Sequence, residues 1–361
     1  METKYSIRTC KREDEMKIFE LWKAVYPESK HDQEEWLTWW RWKYEKNPAG
    51  AGRIWLAEHD GKIVGQYGFI FMDIKVGDKV LKALQGADSM THPNYRRQGI
   101  NLTLIRHALD ETGEAGFNIA TAFPVHASTS YAIHIKSGWF HVGTMQLFFK
   151  PLNWNNVIKA KVKNKWLQRV LAVGGRLIFD KMLFKTHNPP TVQGLHINRV
   201  ASFDDRINTL WAETSTRHMI MVVRNERYLN WRYSTARQNY TILVGEKANK
   251  ILGYLVLRHQ IVRSGIVVSH IFDLIAESEE VMHGLVSSAV ENCRLNNADL
   301  VIYSLMAGKT YRRILKRSGF ISVPFIKGLA LAAYSSSSSI PKDFLSDPEN
   351  WLVQIGDSDM K

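Results

Sequence analysis

The alternation of apolar and polar residues along the chain predicts an α+β protein. Apolar residues recur at helical spacing up to about residue 47, where Asn47 and Pro48 end the pattern. Two strands, 53–59 and 62–73, flank Asp60-Gly61, a dipeptide typical of a tight hairpin. The pattern then predicts a strand at 80–90, a helix at 100–112, a strand at 118–122 and a helix at 128–137 that ends at Gly138.

The same order of elements recurs in the second half of the chain. Residues 36–39 (Trp-Leu-Thr-Trp) are echoed at 228–231 (Tyr-Leu-Asn-Trp), an offset of 192, and Asp88 is echoed by Asp273, an offset of 185. Ser137-Gly138 is echoed by Ser318-Gly319, an offset of 181. A steadily shrinking offset indicates one duplicated domain with shorter loops in its second copy. This copy predicts strands at 241–244, 251–260, 266–276 and 300–304 and helices at 280–296 and 310–318.

Length and composition fit two folded domains. The 361 residues are 45% hydrophobic, 11% aromatic and 23% charged, which excludes disordered and collagen-like chains. The predicted division is a domain at 1–150, a basic helical connector at 151–190, a second domain at 191–334, and a serine linker with a C-terminal tail at 335–361. The two cysteines lie far apart in the sequence, which does not support a disulfide framework and favours a cytoplasmic protein.

The net charge of +13 is concentrated in one short segment. Residues 1–150 hold 20 basic and 18 acidic residues, residues 151–187 hold 8 and 1, and residues 188–361 hold 20 and 16. Nucleic acid is therefore a weak inference for the two domains. Basic and apolar positions at helical spacing within 151–187 predict peripheral contact with the inner face of a membrane, and a solvated helical linker is the alternative.

Residues 91–101 carry the clearest candidate chemistry. This loop joins a strand to a helix, so unpaired backbone N–H groups and the positive end of the helix dipole point at one place. Such a junction binds a diphosphate, with Arg96 and Arg97 as counter-charge and Gly99 allowing close approach of the backbone. A surface turn with two arginines is the alternative interpretation.

With these residues the chain resembles the GNAT superfamily of acetyl-CoA-dependent N-acetyltransferases. The family's loop reads Arg/Gln-x-x-Gly-x-Gly/Ala, and here Arg96-x-x-Gly99-x-Asn101 follows the segment 91–95 (Thr-His-Pro-Asn-Tyr). The family's closing signature, Tyr-x-x-x-Gly-Phe, corresponds to 134–139, which begins at His134 and ends in Gly-Trp. Asn101 stands where the family has glycine or alanine, and its larger side chain is expected to crowd the cofactor.

The resemblance implies two tandem GNAT-like domains, each a mixed, mostly antiparallel sheet flanked by helices. It implies that the loop holds the pyrophosphate of acetyl-CoA through backbone N–H groups and that the preceding strand pairs with the pantetheine arm, with no metal. The second copy has three glutamates at 277–280 in place of this loop, and these would repel a diphosphate, so it is expected to be degenerate. The implied cofactor-binding residues are Met90, Thr91, Arg96, Arg97, Gln98, Gly99, Ile100 and Asn101.

Attack of an amine on a thioester needs a base and an acid. The resemblance places the base at Asp88, on the strand before the loop, and the acid at His134, with Tyr131 one turn earlier on the helix as its partner. Alternatively, Asp88 is a hydrogen-bonded strand residue repeated structurally as Asp273, and Tyr131 and His134 pack beneath the active site.

The C-terminal tail offers two more candidate bases. It follows the five serines 335–339, which predict a flexible link. Because some tandem members of the superfamily bring a C-terminal group into the catalytic pocket, Asp357 and Asp359 are candidates, whereas disorder of the last residues is the alternative.

Trp36, Trp39, Trp40 and Trp42 predict core packing, with carbohydrate contact as the alternative.

The expected function is acetyl-CoA-dependent acetylation of a primary amine. An amino sugar in cell-surface polysaccharide synthesis is the first acceptor class considered, and an aminoglycoside or a polyamine is the second. A membrane- or nucleic-acid-binding protein on a non-catalytic GNAT scaffold is the alternative of another class.

Overall fold

The chain forms two compact units. In the computed structural model, which describes residues 5–161, 192–234, 239–262, 264–323, 328–337 and 339–359, the first unit is Met1–Thr144 with Leu329–Asn350. The second is Met145–Gly328 with Trp351–Lys361. These units depart from the predicted domain boundaries, because a segment from each half of the sequence belongs to the unit built mainly by the other half.

The first half of the chain alternates strands and helices. Its strands are β1 (Ser6–Thr9), β2 (Arg53–His59), β3 (Lys62–Val76), β4 (Lys79–Thr91), β5 (Ile119–Ala122) and β6 (Phe140–Thr144). Its helices are α1 (Glu15–Val25), α2 (Gln33–Tyr44), α3 (Ile100–Glu114) and α4 (Thr129–Lys136).

The second half repeats this alternation. Its strands are β7 (Gln146–Pro151), β8 (His196–Val200), β9 (Ile220–Val222), β10 (Tyr240–Lys247), β11 (Lys250–Ile261), β12 (Val267–Ala276), β13 (Leu300–Met306), β14 (Ile321–Val323), β15 (Ala330–Ser335) and β16 (Val353–Gln354). Its helices are α5 (Trp154–Lys161), α6 (Arg206–Ser215), α7 (Glu226–Tyr233), α8 (Glu279–Leu295), α9 (Lys309–Arg317) and α10 (Lys342–Ser346).

Each unit contains one mixed sheet. The first has the order β1-β2-β3-β4-β5-β15-β6, and the second has the order β14-β7-β13-β12-β11-β10-β8. Neighbours are antiparallel except for β4 with β5 and β12 with β13, which are parallel. The predicted fold class, α+β with two mostly antiparallel sheets flanked by helices, is therefore confirmed.

Two strands change sheets relative to the predicted domains. β7 follows directly on the first half, yet it pairs with β13 and β14 of the second sheet. β15 closes the second half, yet it lies between β5 and β6 of the first sheet. The predicted boundaries at 150 and 334 thus follow the order of the sequence repeat, whereas in the structure β7 belongs to the second sheet and β15 belongs to the first.

The predicted elements are formed with ends that differ by at most three residues. The hairpin between β2 and β3 turns at Asp60 and Gly61, both with positive φ (48° and 72°), as a two-residue turn of the hairpin type requires. Trp36 and Trp40 are buried in the core between α1, α2 and the sheet, so core packing holds for these two. Trp39 and Trp42 are half-buried.

The C-terminal tail from Trp351 onward belongs to the second unit. The sequence predicts disorder only for the last few residues, of which Met360 and Lys361 lie outside the described residues. Trp351, Leu352 and Val353 are buried, and β16 pairs with β13 as part of the second unit. The apolar run in this tail therefore completes a core, which is why it is ordered. The serine run is also only partly a link, since Ser335 ends β15.

Most of the predicted basic connector, residues 162–191, lies outside the described residues, and its described start forms α5. Among the helices that the structure describes, none is both long and apolar enough to cross a bilayer.

Candidate active site

The site is built on a split between two parallel strands of the first unit. β4 pairs with β5 only from Leu84 to Gly86, opposite Ala120 to Ala122, although β4 continues to Thr91. From Ala87 onward the edge of β4 is therefore no longer covered by β5. An uncovered strand edge offers N–H and C=O groups to an extended ligand, in the way that a peptide adds to a sheet.

A β-bulge lies in this stretch of β4. The register against β3 shifts between Gln66 and Gly68, so that Asp88 and Ser89 together oppose Tyr67. Asp88 has a φ of 48°, a left-handed conformation that costs a non-glycine residue about 1–3 kcal/mol. Bulges re-aim side chains and are frequent beside active sites, and here the bulge turns the carboxylate of Asp88 toward α2.

Helix α3 begins where the uncovered edge of β4 ends. Its N-cap is Gly99 with a φ of 79°, and the Thr103 N–H donates to the Gly99 carbonyl at 3.0 Å, which begins the helical bonding. The first amides of an α-helix have no intrahelical acceptor, so those that precede Thr103 can bind an anion. Gly65 on β3 permits this placement, because a Cβ there would lie 2.5 Å from Ile100 Cγ2.

The predicted phosphate-binding side chains surround this helix start. Arg96, Arg97 and Gln98 are exposed, and Arg97 has a φ of 64°, which folds the loop tightly ahead of Gly99. Asn101 donates from Nδ2 to Ser89 Oγ at 2.5 Å, which joins the first turn of α3 to the bulge. Its side chain therefore lies along the edge of β4, and the crowding expected at this position stays a prediction.

Asp88 is held from the buried side by two neighbours on α2. Tyr44 Oη donates to Asp88 Oδ2 at 2.8 Å, and Lys43 Nζ forms an ion pair with the same oxygen. The Lys43 side chain is 2% exposed, whereas that of Asp88 is 18% exposed. The carboxylate is thus anchored and still reaches solvent.

Asp273 occupies the matching place in the second unit. The register of β11 and β12 also shifts there, and Tyr233 Oη donates to Asp273 Oδ2 at 3.1 Å. Tyr44 and Tyr233 are related by an offset of 189, within the range of the sequence repeat. The tyrosine–aspartate contact is therefore a duplicated structural element, as one of the two interpretations of Asp88 proposed.

The split in the second sheet is filled by the C-terminal tail. β12 and β13 stay paired up to Ile271 and Tyr303, and Gln354 lies beyond that point. Its Oε1 accepts from the Leu274 N–H at 2.8 Å and from the Tyr303 hydroxyl, and its Nε2 donates to Asp273 Oδ1 at 2.8 Å. In this unit the chain itself occupies the strand edge that corresponds to the one uncovered in the first unit.

The candidate acids on α4 face different neighbours. His134 is buried, accepts a 3.4 Å contact from Tyr67 Oη on Nε2, and lies edge-on to Trp139. Its Nδ1 lies 2.8 Å from the Ser130 carbonyl, which assigns the proton of the neutral ring to Nδ1. Burial lowers the pKa of His134, with the bond to Ser130 opposing the shift.

Tyr131 lies at the start of the same helix and is half-buried. Its ring is 5.1 Å from His126 and 5.8 Å from His141, which places it in a separate aromatic group from His134. The structure therefore does not pack the two candidates as one pair. Among the described residues, no group of three or more His, Cys, Asp and Glu side chains could hold a metal ion.

The two tail carboxylates lie in the second unit. Asp357 is buried and accepts from Arg224 Nη2 at 2.8 Å and 2.9 Å, and Arg224 also pairs with Asp273. Burial raises the pKa of Asp357, and the Arg224 guanidinium opposes this rise. Asp357 is thus part of a buried ionic core, and Asp359 follows it near the end of the described chain.

Sequence reasoning missed Lys43, Tyr44 and Tyr67. The pair Lys43-Tyr44 recurs as Arg232-Tyr233 at an offset of 189, and this repeat was the signal that could have found the first two. Tyr67 carries no such signal, because its role depends on the strand register that places it opposite the bulge.

Comparison with known proteins finds a family model that matches the first part of the chain. Residues 6–142 match the acetyltransferase (GNAT) domain family. No curated protein sequence matches the chain.

Solved structures share the fold of the whole chain. A GCN5-related N-acetyltransferase from Anabaena variabilis is 14% identical, with a TM-score of 0.64 over 91% of this chain and 72% of that one. Saccharomyces cerevisiae N-myristoyltransferase with bound myristoyl-CoA is 12% identical, with a TM-score of 0.59 over 91% and 82%. A putative acetyltransferase from Pyrococcus horikoshii is 14% identical, with a TM-score of 0.56 over 99% and 95%.

The predicted GNAT resemblance and its tandem arrangement are thereby confirmed. At identities this low, the solved structures establish the fold alone. The match of the first unit to an acetyltransferase domain confirms the predicted class of enzyme, an N-acyltransferase.

Proposed function

We propose that this protein transfers an acetyl group from acetyl-CoA to a primary amine, and that the first unit alone binds the cofactor. The observation that carries the proposal is the junction of the uncovered edge of β4 with the N-terminus of α3. In the second unit the corresponding strand edge is taken by Gln354, Glu277 precedes α8, and Glu279 and Glu280 lie in its first turn. Both features oppose binding of a diphosphate-bearing ligand there.

The residues of the first unit fit acyl-CoA. The amides at the start of α3 would hold its pyrophosphate, with Arg96 and Arg97 exposed beside them as counter-charge. The edge of β4 at Met90 and Thr91 would pair with the amides of its pantetheine arm. When bound, the cofactor supplies an activated thioester.

The inner end of the strand split favours a short acyl group. Gly86 and Ala122 form the last paired positions of β4 and β5, and a Cβ on Gly86 would lie 2.2 Å from Tyr67 Oη. Tyr67 is buried and contacts His134, so its side chain occupies part of this apex. This packing supports acetyl over myristoyl as the transferred group.

Asp88 is proposed to take the proton of the acceptor ammonium. Its carboxylate is partly exposed on the bulge, next to the strand edge where the thioester would lie. Tyr131 is the better candidate for protonating the departing thiolate, because it is half-buried whereas His134 is buried with its Nε2 toward Tyr67. Asp357 is a less suitable base, since Arg224 and the core of the second unit enclose it.

The acceptor is proposed to be an amino sugar, with aminoglycosides and polyamines as the second class. Its support is the partial exposure of Trp39 and Trp42, whose rings can stack on a sugar, whereas Trp36 and Trp40 are buried. A cytoplasmic location with membrane contact through residues 151–187 likewise stays a proposal.

Calorimetric titration with acetyl-CoA, followed by an amine screen read out through the released thiol, tests the function. We expect saturable binding by the wild type, a loss of about tenfold or more in affinity when Arg96→Ser and Arg97→Ser are combined, and little change for Arg199→Ser on β8. Turnover should fall about a hundredfold or more in Asp88→Asn.

Weak binding that does not respond to these substitutions would contradict the proposed cofactor site. Binding to anionic vesicles or DNA that persists in the double variant, without turnover of any amine, would instead favour a non-catalytic scaffold. Tighter binding and faster turnover of myristoyl-CoA would refute the short acyl group.

A further inference from the structure

Lys43 is a buried cation beside the proposed base. Its side chain is 2% exposed, its Nζ pairs with Asp88 Oδ2, and the same Nζ lies 3.7 Å from the centre of the Trp39 ring. Removing an ammonium group from water costs several kcal/mol, which a single ion pair repays only in a good geometry. An apolar side chain would fill this position in α2 at lower cost, so packing alone does not account for a lysine here.

The second unit provides an internal reference for this arrangement. Asp273 is fully buried, and both of its carboxylate oxygens accept hydrogen bonds from Arg224 at 3.1 Å. Gln354 and Tyr233 donate to it as well. Every direction around this carboxylate is therefore occupied, as expected of a structural ion.

Asp88 keeps the tyrosine contact of this duplicated element, but its other side-chain partner and its exposure to solvent differ from those of Asp273. Its two side-chain partners, Lys43 and Tyr44, both lie at Oδ2. Within the part of the chain that the structure describes, Oδ1 accepts no hydrogen bond, and the side chain is 18% exposed. Oδ2 is thus held by two side chains of α2, while Oδ1 accepts no hydrogen bond from the described residues.

The backbone of Asp88 needs this anchor. Its φ of 48° is strained for a residue with a Cβ, and the Gln66 side chain supports its carbonyl only through a long bond of 3.5 Å. A bidentate or freely rotating carboxylate would not present one defined oxygen. A hydrogen bond from Tyr44 and an ion pair with Lys43, both at Oδ2 of a strained residue, do define which oxygen faces outward.

We propose that Lys43 is a positioning residue for acyl transfer, which holds Asp88 Oδ2 so that Oδ1 is presented to the acceptor ammonium. This inference rests on the proposed function. In the step it serves, one N–H proton of the ammonium passes to Asp88 Oδ1, and the freed nitrogen lone pair forms the new C–N bond. The C–S bond breaks with its electron pair on sulfur, and the second proton lost by the nitrogen balances the protonation of this thiolate, which leaves an amide and a free thiol. Lys43 itself exchanges no proton and contacts no substrate.

The test compares Lys43→Met, Lys43→Arg and a matched control, Lys82→Met, which breaks the exposed ion pair between Lys82 and Asp73 (2.7 Å) in the same unit. For Lys43→Met we expect kcat to fall about tenfold or more, while the dissociation constant of acetyl-CoA stays within about twofold. Lys43→Arg, which keeps the charge, should recover a large part of kcat. Lys82→Met should match the wild type.

A double variant separates positioning from a merely structural role. If Lys43 acts through Asp88, then Lys43→Met lowers kcat much less in an Asp88→Asn background than in the wild type. Should Lys43→Met not fold at 25 °C, Lys43→Gln, a polar and uncharged replacement, is measured in the same way.

A wild-type kcat in a folded Lys43→Met or Lys43→Gln variant would overturn the inference and leave the proposed function standing. An equal loss of kcat in Lys43→Met and Lys43→Arg would have the same consequence. A wild-type enzyme that acylates no amine would overturn both.

Discussion

Gly99→Ala tests whether the start of α3 is shaped for a ligand at the expense of the fold. Residue 99 has a φ of 79° and a ψ of −3°, a left-handed conformation that costs an L-residue about 1–2 kcal/mol. A Cβ there would meet nothing within 4 Å, so no steric penalty adds to this cost. Reduced freedom of the unfolded chain returns about 0.4–1 kcal/mol, which leaves a net loss of about 1 kcal/mol in the free energy of unfolding.

The matched control is Gly113→Ala in the same helix. Gly113 lies in α3 away from its N-cap, and a Cβ there also meets nothing within 4 Å. Because alanine is favoured over glycine in a helix by about 0.8–1 kcal/mol, this variant should be more stable than the wild type. Relative to the wild type, Gly99→Ala should lose about 1 kcal/mol and Gly113→Ala should gain about 1 kcal/mol in the free energy of unfolding, so the two variants should differ by about 2 kcal/mol. Urea unfolding monitored through tryptophan fluorescence measures both values.

Binding gives the second readout for the same pair. The open space above Gly99 is where the pyrophosphate would approach the backbone, so Gly99→Ala should weaken acetyl-CoA about tenfold while Gly113→Ala leaves its affinity unchanged. If Gly99→Ala is as stable as the wild type, the strain argument is refuted. If it binds acetyl-CoA normally, the pyrophosphate does not lie at this residue.

Two further predictions concern the second unit. Burial lowers the pKa of Lys150 to about 8 from the 10.5 of free lysine, so the unfolded chain binds more protons between these values. The free energy of unfolding of the wild type should therefore rise with pH over this window relative to Lys150→Met, by up to about 3 kcal/mol, and a constant difference in urea unfolding would disprove the shift. Arg224→Met leaves Asp273 and Asp357 buried without their cation and should cost about 3–5 kcal/mol by the same assay, whereas a loss under 1 kcal/mol would show that the pair contributes little.

Local elements were predictable because they depend on short stretches of sequence. The hairpin at Asp60-Gly61 and the loop before α3 each carry their own signal, namely residues that tolerate positive φ next to a periodic apolar pattern. The exchange of β7 and β15 between sheets was not predictable, because their apolar alternation fits a central or an edge position in either sheet. The position of the tail was not predictable for a related reason, since the partners that bury Trp351 and Gln354 are distant in sequence.

The candidate site likewise combines features that short stretches of sequence predict with features that depend on distant residues. Its loop was identified from spacing, while the environment of Asp88 depends on which side chains α2 turns toward the bulge. Sequence alone left open whether Asp88 is a base or a structural residue, because Asp273 recurs at the matching position of the repeat. The structure separates them through what the chain places on each carboxylate.

The two units keep the same fold while the surroundings of the two carboxylates differ. In the second unit, Arg224 and Gln354 replace solvent around Asp273, so the conserved tyrosine contact is retained as part of a buried ionic core. The tail that supplies Gln354 also covers the strand edge on which a cofactor would pair. The strand edge that the chain itself covers in the second unit is uncovered in the first, and the role proposed for Asp88 depends on that difference.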